Sequence, residues 1–174
     1  MNPTFTPQAI AQLVDEQPQE FRVSTAAYRG EAMFEQELES IFYRTWIYLA
    51  HESEIANPGD FKSTQIGTRP VIVSRGRDGE VHAVLNACTH RGATICREET
   101  GNTRAFVCPY HGWSFRPSGE LIGIPDEARY PTGFNKADKN LKPLARVASY
   151  GGLIFGSFNP EVQELEELPG GARH

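Results

Sequence analysis

Residues 86–115 read NACTHRGATICREETGNTRAFVCPYHGWSF and contain two short pairs of cysteine and histidine. One residue separates Cys88 from His90, and two residues separate Cys108 from His111. Thiolate sulfur and imidazole nitrogen are both metal ligands, and two loops that each carry one of each can converge on one site. The stretch therefore predicts a metal centre built by two loops.

Three interpretations of these four residues are open on spacing alone. A zinc ion is satisfied by two cysteines and two histidines, but structural zinc sites more often pair cysteine with cysteine and histidine with histidine within each short motif. Without a metal, the cysteines would be small buried side chains and the histidines surface residues, and the paired arrangement argues against that. In an iron–sulfur cluster of mixed ligation, two cysteines hold one iron and two histidines hold the other.

Short β-forming runs surround the two pairs. They are separated by glycine and proline turns, among them Asp78-Gly79 and Ser118-Gly119. Closely spaced strands of this kind indicate an antiparallel β-sandwich or a small barrel. The expected strands are residues 61–67, 69–76, 80–88, 104–108, 112–117 and 120–124, with a final strand region at 145–158.

The two ends of the chain have different patterns. Residues 1–30 are rich in proline and polar side chains, and we expect an arm with one short helix at Gln8–Val14. From Glu31 onward, EAMFEQELESIFYRTW repeats apolar residues at three-to-four spacing, which predicts a helix with one face toward the core. The residues of that expected face are Phe34, Leu38, Ile41 or Phe42, and Trp46. The tail, 161–174, is acidic and then glycine-rich.

Composition limits the function classes. The chain has 174 residues, a net charge of −5 and no basic run, so we expect neither a nucleic-acid partner nor a membrane partner. The sequence shows no spanning apolar stretch and no signal peptide, which predicts a cytoplasmic protein. Three cysteines cannot all pair, which suits metal or redox use. The third, Cys96, is expected to be an ordinary small side chain and not a ligand.

The two motifs resemble the ligand boxes of a known family. Cys88-Thr89-His90-Arg91-Gly92 and Cys108-Pro109-Tyr110-His111-Gly112-Trp113 are similar to the two boxes of Rieske proteins. Within that superfamily they resemble the Rieske domain at the N-terminus of the large (alpha) subunit of bacterial aromatic-ring-hydroxylating dioxygenases. The phrases WIYLAHESEI, NACTHRGATICRE and ASYGGLIFGSF extend the likeness over most of residues 20–160, nearest to the benzoate and anthranilate branch.

The resemblance implies a fold and a cofactor. The fold is mainly β, a Rieske-type antiparallel β-sandwich with an N-terminal helix packed on it. The expected divisions are an arm at 1–30, the Rieske domain with its lead-in helix at 31–160, and at 161–174 a truncation point or the start of an absent catalytic domain. The cofactor is a 2Fe-2S cluster, with Cys88 and Cys108 on one iron and His90 and His111 on the other.

The ligands and their neighbours predict the redox potential. Two neutral imidazoles in place of two thiolates make the cluster less negative, which is why Rieske potentials lie at about −150 to +300 mV and plant-type ones near −400 mV. Respiratory-chain Rieske proteins resemble this pattern but carry a disulfide clamp where Ala93 and Tyr110 stand here, and a serine hydroxyl where Trp113 stands. Losing a hydrogen bond to cluster sulfur predicts a potential at the low end of the Rieske range.

The resemblance also implies a role in electron transfer. Electrons from NADH would pass through a reductase or ferredoxin to this cluster, and then to a mononuclear Fe(II) in the missing catalytic domain of an oligomeric oxygenase with further subunits. The implied substrates are aromatic carboxylates such as benzoate or anthranilate, and no catalytic residue is expected in this chain. The alternative is a standalone Rieske ferredoxin that acts as a carrier, and a structural zinc module is third. The expected helix beginning at Glu31 favours the oxygenase, because a cluster does not need it.

Overall fold

The computed structural model describes residues 6–167. Residues 1–5 of the expected arm and 168–174 of the expected tail lie outside the described residues. The helices are α1 (Pro7–Ala11), α2 (Ala26–Arg29) and α3 (Glu31–Glu37), the last continued by a π-helical turn at Leu38–Phe42. The strands are β1 (Val14–Gln17), β2 (Glu20–Val23), β3 (Ile47–His51), β4 (Asp60–Ile66), β5 (Arg69–Arg75), β6 (Val81–Leu85), β7 (Thr100–Asn102), β8 (Phe106–Val107), β9 (Ser114–Phe115), β10 (Leu121–Gly123), β11 (Arg146–Tyr150) and β12 (Leu153–Ser157).

The largest sheet has four antiparallel strands in the order β6-β5-β4-β7. The turn between β5 and β6 contains Gly79 at φ 85°, a backbone angle that favours glycine, as the Asp78-Gly79 pair predicts. Strand β5 is buried on both faces, because Val71 and Val73 pack into one apolar core and Ile72 packs into another. The sheet therefore separates two cores, and antiparallel β layers confirm the expected fold class.

Each core is closed by a smaller sheet. The sheet β11-β12-β3 packs Leu49 and Ile154 against the core that contains Val71. The sheet β10-β9-β8 packs Phe106, Phe115 and Leu121 against the core that contains Ile72. Cys88, Cys108 and Trp113 belong to that second core, so both cysteine motifs rest on packed side chains. No helix in the described part of the chain is long and apolar enough to cross a membrane.

The expected strands are confirmed with differences at the edges. Each expected run contains a strand, and the final region at 145–158 divides into the hairpin β11–β12. Outside the N-terminal arm, two strands were not predicted: β3, which begins directly after the expected helix, and β7. Strand β7 reads Thr-Gly-Asn and is exposed at all three residues, so it has no alternation of apolar and polar side chains to reveal it.

The N-terminal arm contains a hairpin that was not predicted. The helix expected at Gln8–Val14 is shorter and earlier, at Pro7–Ala11, where Thr6 caps its first turn by accepting a hydrogen bond from Ala9. Strands β1 and β2 pair directly after it, and nearly all of their residues are exposed. Because neither face of the hairpin is buried, the sequence carries no period-two signal for it.

The lead-in helix is shorter than expected. A helix over all of EAMFEQELESIFYRTW was predicted, but α3 gives way at Leu38 to a π-helical turn, in which Tyr43 N–H donates to Leu38 O at 2.9 Å. A π turn adds one residue to the helical repeat, so the side chains that follow it are rotated relative to an α-helix.

This rotation changes the buried face. Leu38 and Trp46 are buried as predicted, and Met33 and Tyr43 are buried with them, which gives a spacing of five residues around the π turn. Phe34 and either Ile41 or Phe42 were predicted to face the core, and all three are exposed instead. Phe34 precedes the π turn, so the rotation accounts only for the later two.

The side chain of Glu54 links the last residue of β3 to a residue of β4 through hydrogen bonds. Its carboxylate accepts hydrogen bonds from the backbone N–H of His51 at 2.7 Å and from the ammonium group of Lys62 at 2.7 Å. The Lys62 bond, and after it the His51 bond, lowers the pKa of the Glu54 carboxyl below its ordinary value. A carboxyl with a lowered folded-state pKa stabilises the fold above its unfolded pKa, and this contribution is lost as the pH falls through the folded value.

We predict that Glu54→Gln lowers the free energy of unfolding at neutral pH by about 0.5–1 kcal/mol, the range for a partly exposed ion pair. The difference from the wild type should shrink as the pH falls below the ordinary carboxyl pKa of 4.5, because the unfolded wild-type chain then binds a proton that the folded Glu54 carboxylate does not. Urea unfolding at neutral pH and at about pH 3.5 measures both values. Glu39→Gln is the control, since Glu39 is mostly exposed and lies 3.8 Å from Arg69. An equal loss in the two variants would contradict the prediction.

Candidate metal centre

The two cysteine motifs form loops with the same backbone hydrogen bonds. In loop 1 (residues 88–93), Cys88 N–H donates to the carbonyl of Ala93 at 2.8 Å, and Gly92 N–H donates to the carbonyl of Cys88 at 2.7 Å. In loop 2 (residues 108–113), Cys108 N–H donates to the carbonyl of Trp113 at 2.8 Å, and Gly112 N–H donates to the carbonyl of Cys108 at 2.9 Å. The loops therefore present their cysteines in equivalent positions, although the histidines follow at different spacings.

A glycine four residues after each cysteine makes the turn possible. Gly92 has φ 74° and Gly112 has φ 70°, in the left-handed region that other residues rarely adopt. A side chain at Gly112 would also meet Cγ of Pro125 at 3.0 Å, whereas a side chain at Gly92 would meet nothing within 4 Å. The two positions share the backbone requirement, and only the second has a steric one.

The structure brings the two cysteines together in the core. Cys88 is 3% exposed and Cys108 is 2% exposed, and both are free thiols. Burial raises the pKa of the Cys88 thiol, and hydrogen bonding to the adjacent Cys108 thiol raises it further. The backbone N–H groups of His90 and Arg91 point at the same sulfur and act in the opposite direction, because they stabilise a thiolate. These amides favour the form of cysteine that binds metal.

The two histidines also lie side by side. The ring centroids of His90 and His111 are 4.7 Å apart, with the ring planes at 66°. Burial lowers the pKa of His90, and the neighbouring His111 and Arg91 lower it further, so its imidazole is held in the neutral form that binds metal. Nδ1 of His90 is buried and has no hydrogen-bond partner in the described part of the chain.

The unpaired Nδ1 of His90 indicates whether a metal group fits this site. Leaving a buried polar atom without a partner costs about 1–3 kcal/mol, and a metal bound at that atom would remove the cost. No three or more histidine, cysteine, aspartate or glutamate side chains within residues 6–167 converge on one metal ion. A cluster with two irons requires only two protein ligands on each iron, whereas a single structural zinc ion requires four together. The donor set fits the two-iron arrangement better.

Aromatic rings cover both histidines. Trp113 is 3% exposed and stacks on His90 with centroids 4.9 Å apart and planes at 7°. Tyr110 stacks on His111 at 3.8 Å, but its own side chain is 59% exposed. One histidine is therefore covered from inside the core, and the other is covered by a ring at the surface.

The loops are also supported by residues for which the sequence carries no signal. Tyr130 and Phe134 lie 6.4 and 6.1 Å from Trp113, measured between ring centroids. Thr89 Oγ1 donates to the carbonyl of Lys139 at 2.6 Å and ties loop 1 to the same segment. Tyr130 and Phe134 lie in irregular backbone, where no periodic pattern marks a residue as buried.

The Cys96 thiol contacts residues outside loops 1 and 2. It is buried, and its sulfur lies 3.5 Å from the hydroxyl of Ser63 and 3.5 Å from the carbonyl oxygen of Glu98. Burial is the main cause that raises the pKa of this thiol. That Cys96 is not a ligand stays a prediction.

The chain is similar to known proteins over most of its length. A family model described as the Rieske [2Fe-2S] domain matches residues 45–150. The chain is 40% identical to a 2-halobenzoate 1,2-dioxygenase large subunit from Burkholderia cepacia, over 96% of this chain and 38% of that protein. It is 42% identical to a toluate 1,2-dioxygenase subunit alpha from Pseudomonas putida, over 94% and 37%.

A solved structure gives the same result for the fold. A naphthalene 1,2-dioxygenase bound to phenanthrene superimposes with a TM-score of 0.82 at 42% identity, over 85% of this chain and 33% of that one. The chain spans 33–38% of the length of these three proteins.

We predict that Gly112→Ala destabilises the protein more than Gly92→Ala. Each alanine must adopt a positive φ, which costs about 1–2 kcal/mol, and the methyl group at residue 112 must also displace Pro125. Urea unfolding of both variants gives the two losses. Gly133→Ala is the control, because that glycine has no neighbour within 4 Å and no positive φ. Equal losses at residues 92 and 112 would show that contact with Pro125 costs nothing.

Proposed function

The chain belongs to the Rieske [2Fe-2S] domain family, and from this membership we propose that it relays electrons through a cluster bound by loops 1 and 2. In this proposal Cys88 and Cys108 hold one iron, and His90 and His111 hold the other. When bound, such a cluster accepts and releases one electron at a time. The observation that carries the ligand assignment is the buried, unpaired Nδ1 of His90 beside His111 and beside two adjacent buried thiols.

The surrounding residues would set the properties of the centre. Trp113 excludes water from one face of His90, and Tyr110 shields His111 at the surface. The amides of His90 and Arg91 direct positive ends of dipoles at the Cys88 sulfur. Position 113 offers no hydroxyl to a cluster sulfur, and the Ser114 hydroxyl donates to the carbonyl of Gly112 instead. We therefore place the reduction potential in the lower part of the Rieske range.

The domain divisions follow from the same proposal. The family match covers residues 45–150, and we place the Rieske domain at 31–160 so that it includes the lead-in helix. Residues 1–30 would be an arm, and 161–174 would lead toward an absent catalytic domain. We assign no catalytic residue to this chain.

We further propose that the chain is the Rieske part of the large subunit of an aromatic-ring dioxygenase. The named relatives are dioxygenase large or alpha subunits, and two of them are named for 2-halobenzoate and toluate, which supports an aromatic carboxylate as substrate. Electrons would come from NADH through a reductase or ferredoxin and leave for a mononuclear iron in a catalytic domain. The other partners would be further oxygenase subunits in an oligomer, and the compartment would be the cytoplasm.

The alternative of a standalone Rieske ferredoxin has less support. The match to the 2-halobenzoate enzyme includes 96% of this chain, so the similarity extends beyond the part that would hold a cluster. A carrier protein would need only the two loops and the sheets under them.

We predict that the purified protein contains two irons and two acid-labile sulfides per chain, as the family's cluster type requires. His90→Ala and His111→Ala should each lose the cluster, because one iron would keep a single protein ligand. Cys96→Ala is the matched control and should keep it, because Ser63 and Glu98 engage that thiol. Iron and sulfide analysis with visible absorption measures the outcome. One zinc per chain without visible absorption would remove the redox proposal.

We also predict that this chain accepts electrons but forms no product from aromatic compounds. Visible bleaching on addition of NADH and a suitable reductase would report the reduction. Product analysis with benzoate as the added substrate should find no dihydrodiol. A dihydrodiol formed by this chain in the absence of any other oxygenase polypeptide would contradict the assignment as a relay domain.

A further inference from the structure

Asn86 is a buried polar residue two positions before Cys88, and all of its side-chain atoms that can form hydrogen bonds do so. Its Oδ1 accepts from the backbone N–H groups of Ile95 at 3.0 Å and of Cys96 at 2.9 Å. Its Nδ2 donates to the carbonyl of Cys96 at 2.7 Å. The side chain thus pairs with both backbone groups of Cys96, as a neighbouring strand would in an antiparallel sheet. The residue is 3% exposed, so water does not compete for these bonds.

In loop 2, a pair of strands occupies the place that the Asn86 side-chain hydrogen bonds occupy in loop 1. Strands β8 and β9 flank loop 2, and Phe106 pairs with Phe115 at its base. Phe106 lies two residues before Cys108, and Phe115 lies seven residues after it. In loop 1 the corresponding positions are Asn86 and Ile95, but residues 92–97 are in no strand. Two loops with the same internal turn therefore have different bases: one is closed by backbone pairing and the other by a side chain.

The residues that enter loop 1 at the end of β6 are held by backbone hydrogen bonds of their own. Asn86 N–H donates to the carbonyl of Pro70 at 2.9 Å, and Leu85 N–H donates to the carbonyl of Lys142 at 2.8 Å. The Asn86 side chain therefore joins the returning segment at 95–96 to a fixed position at the end of β6. The three cysteines are free thiols, so no disulfide shares this task.

We propose that Asn86 is a positioning residue that closes the base of loop 1 and so holds Cys88 and His90 in place. The inference deepens the proposed function, since it rests on these two residues being cluster ligands. Without the side-chain amide, the N–H groups of Ile95 and Cys96 lose their acceptor, and the returning half of loop 1 is free to move away from β6. Loop 2 keeps its backbone pairing, so the effect is confined to one side of the site.

The test compares Asn86→Leu, which keeps the branched shape of the side chain and removes all three bonds, with the control Ser74→Ala. Ser74 is also fully buried and donates one hydrogen bond, to the carbonyl of Pro117 at 2.8 Å, but it holds no cysteine loop. Hydrogen exchange of the whole cluster-loaded chain, resolved by fragmentation and mass spectrometry, reports the backbone amides. In Asn86→Leu the amides of residues 95 and 96 should exchange at least about tenfold faster, while those of β8 and β9 keep their rates.

A second readout concerns the centre itself. Electron paramagnetic resonance of the reduced protein should show altered g-values in Asn86→Leu and unchanged ones in Ser74→Ala. Asn86→Asp keeps an acceptor for the two N–H groups and loses the donor, so its exchange rates should lie between those of the wild type and of Asn86→Leu. It also decides the question if Asn86→Leu does not fold.

Two results would overturn the proposal. One is exchange at residues 95 and 96 that matches the Ser74→Ala protein in both Asn86 variants. The other is acceleration spread equally over both loops, which would indicate general destabilisation and not the release of loop 1. If the wild-type chain bound no cluster, the proposed ligands would be wrong, but exchange at these two amides would still report whether Asn86 closes the loop.

Discussion

The burial of β5 on both of its faces is the constraint on which the rest of the structure depends. Ile72 contributes to the core under the cysteine loops, and Val71 and Val73 contribute to the core formed with β3 and β12. Because β6 pairs with β5 along its length, the strand that enters loop 1 is fixed by two packed layers. Loop 2 enters the same core through Phe106 and Phe115. The two loops meet because their supporting strands share one apolar interior.

The chemistry of the candidate centre follows from that burial. A low-dielectric surrounding disfavours charge on an imidazole, which lowers the pKa of His90, and it disfavours an unassisted thiolate, which raises the pKa of Cys88. Backbone amides directed at the Cys88 sulfur offset part of the second effect. A centre that is neutral on one side and supported by peptide dipoles on the other suits a group that must change its charge by one electron without large rearrangement. Trp113 contributes by filling the space beside His90 that water would otherwise occupy.

Loops 1 and 2 reach equivalent backbone geometry by different means. Both have the cysteine N–H bonded to the carbonyl five residues later and a glycine with positive φ four residues after the cysteine. Only loop 2 is flanked by paired strands, and loop 1 depends on the amide of Asn86. A side-chain clamp of this kind tolerates an irregular returning segment, which in this protein contains Cys96 and the following charged residues. The three cysteines are free thiols, so no disulfide closes either loop.

The sequence by itself predicted the metal-ligand set, which stays a prediction, together with most of the strands and turns, because these depend on local chemistry. Spacing and the resemblance to Rieske proteins predicted Cys88, His90, Cys108 and His111 as ligands, and the pairs Asp78-Gly79 and Ser118-Gly119 marked turns that glycine adopts easily. The tertiary structure decided what depends on distant neighbours. The π turn at Leu38–Phe42 brought Tyr43 into the core in place of Phe42, and no periodicity reports such an insertion. Asn86 lies two residues before the first ligand motif, and no pattern in the sequence marks it. Its role appeared only when the fold brought the peptide of Cys96 within 2.7–2.9 Å of its amide, since a hydrogen bond between residues ten positions apart leaves no repeating pattern in the sequence.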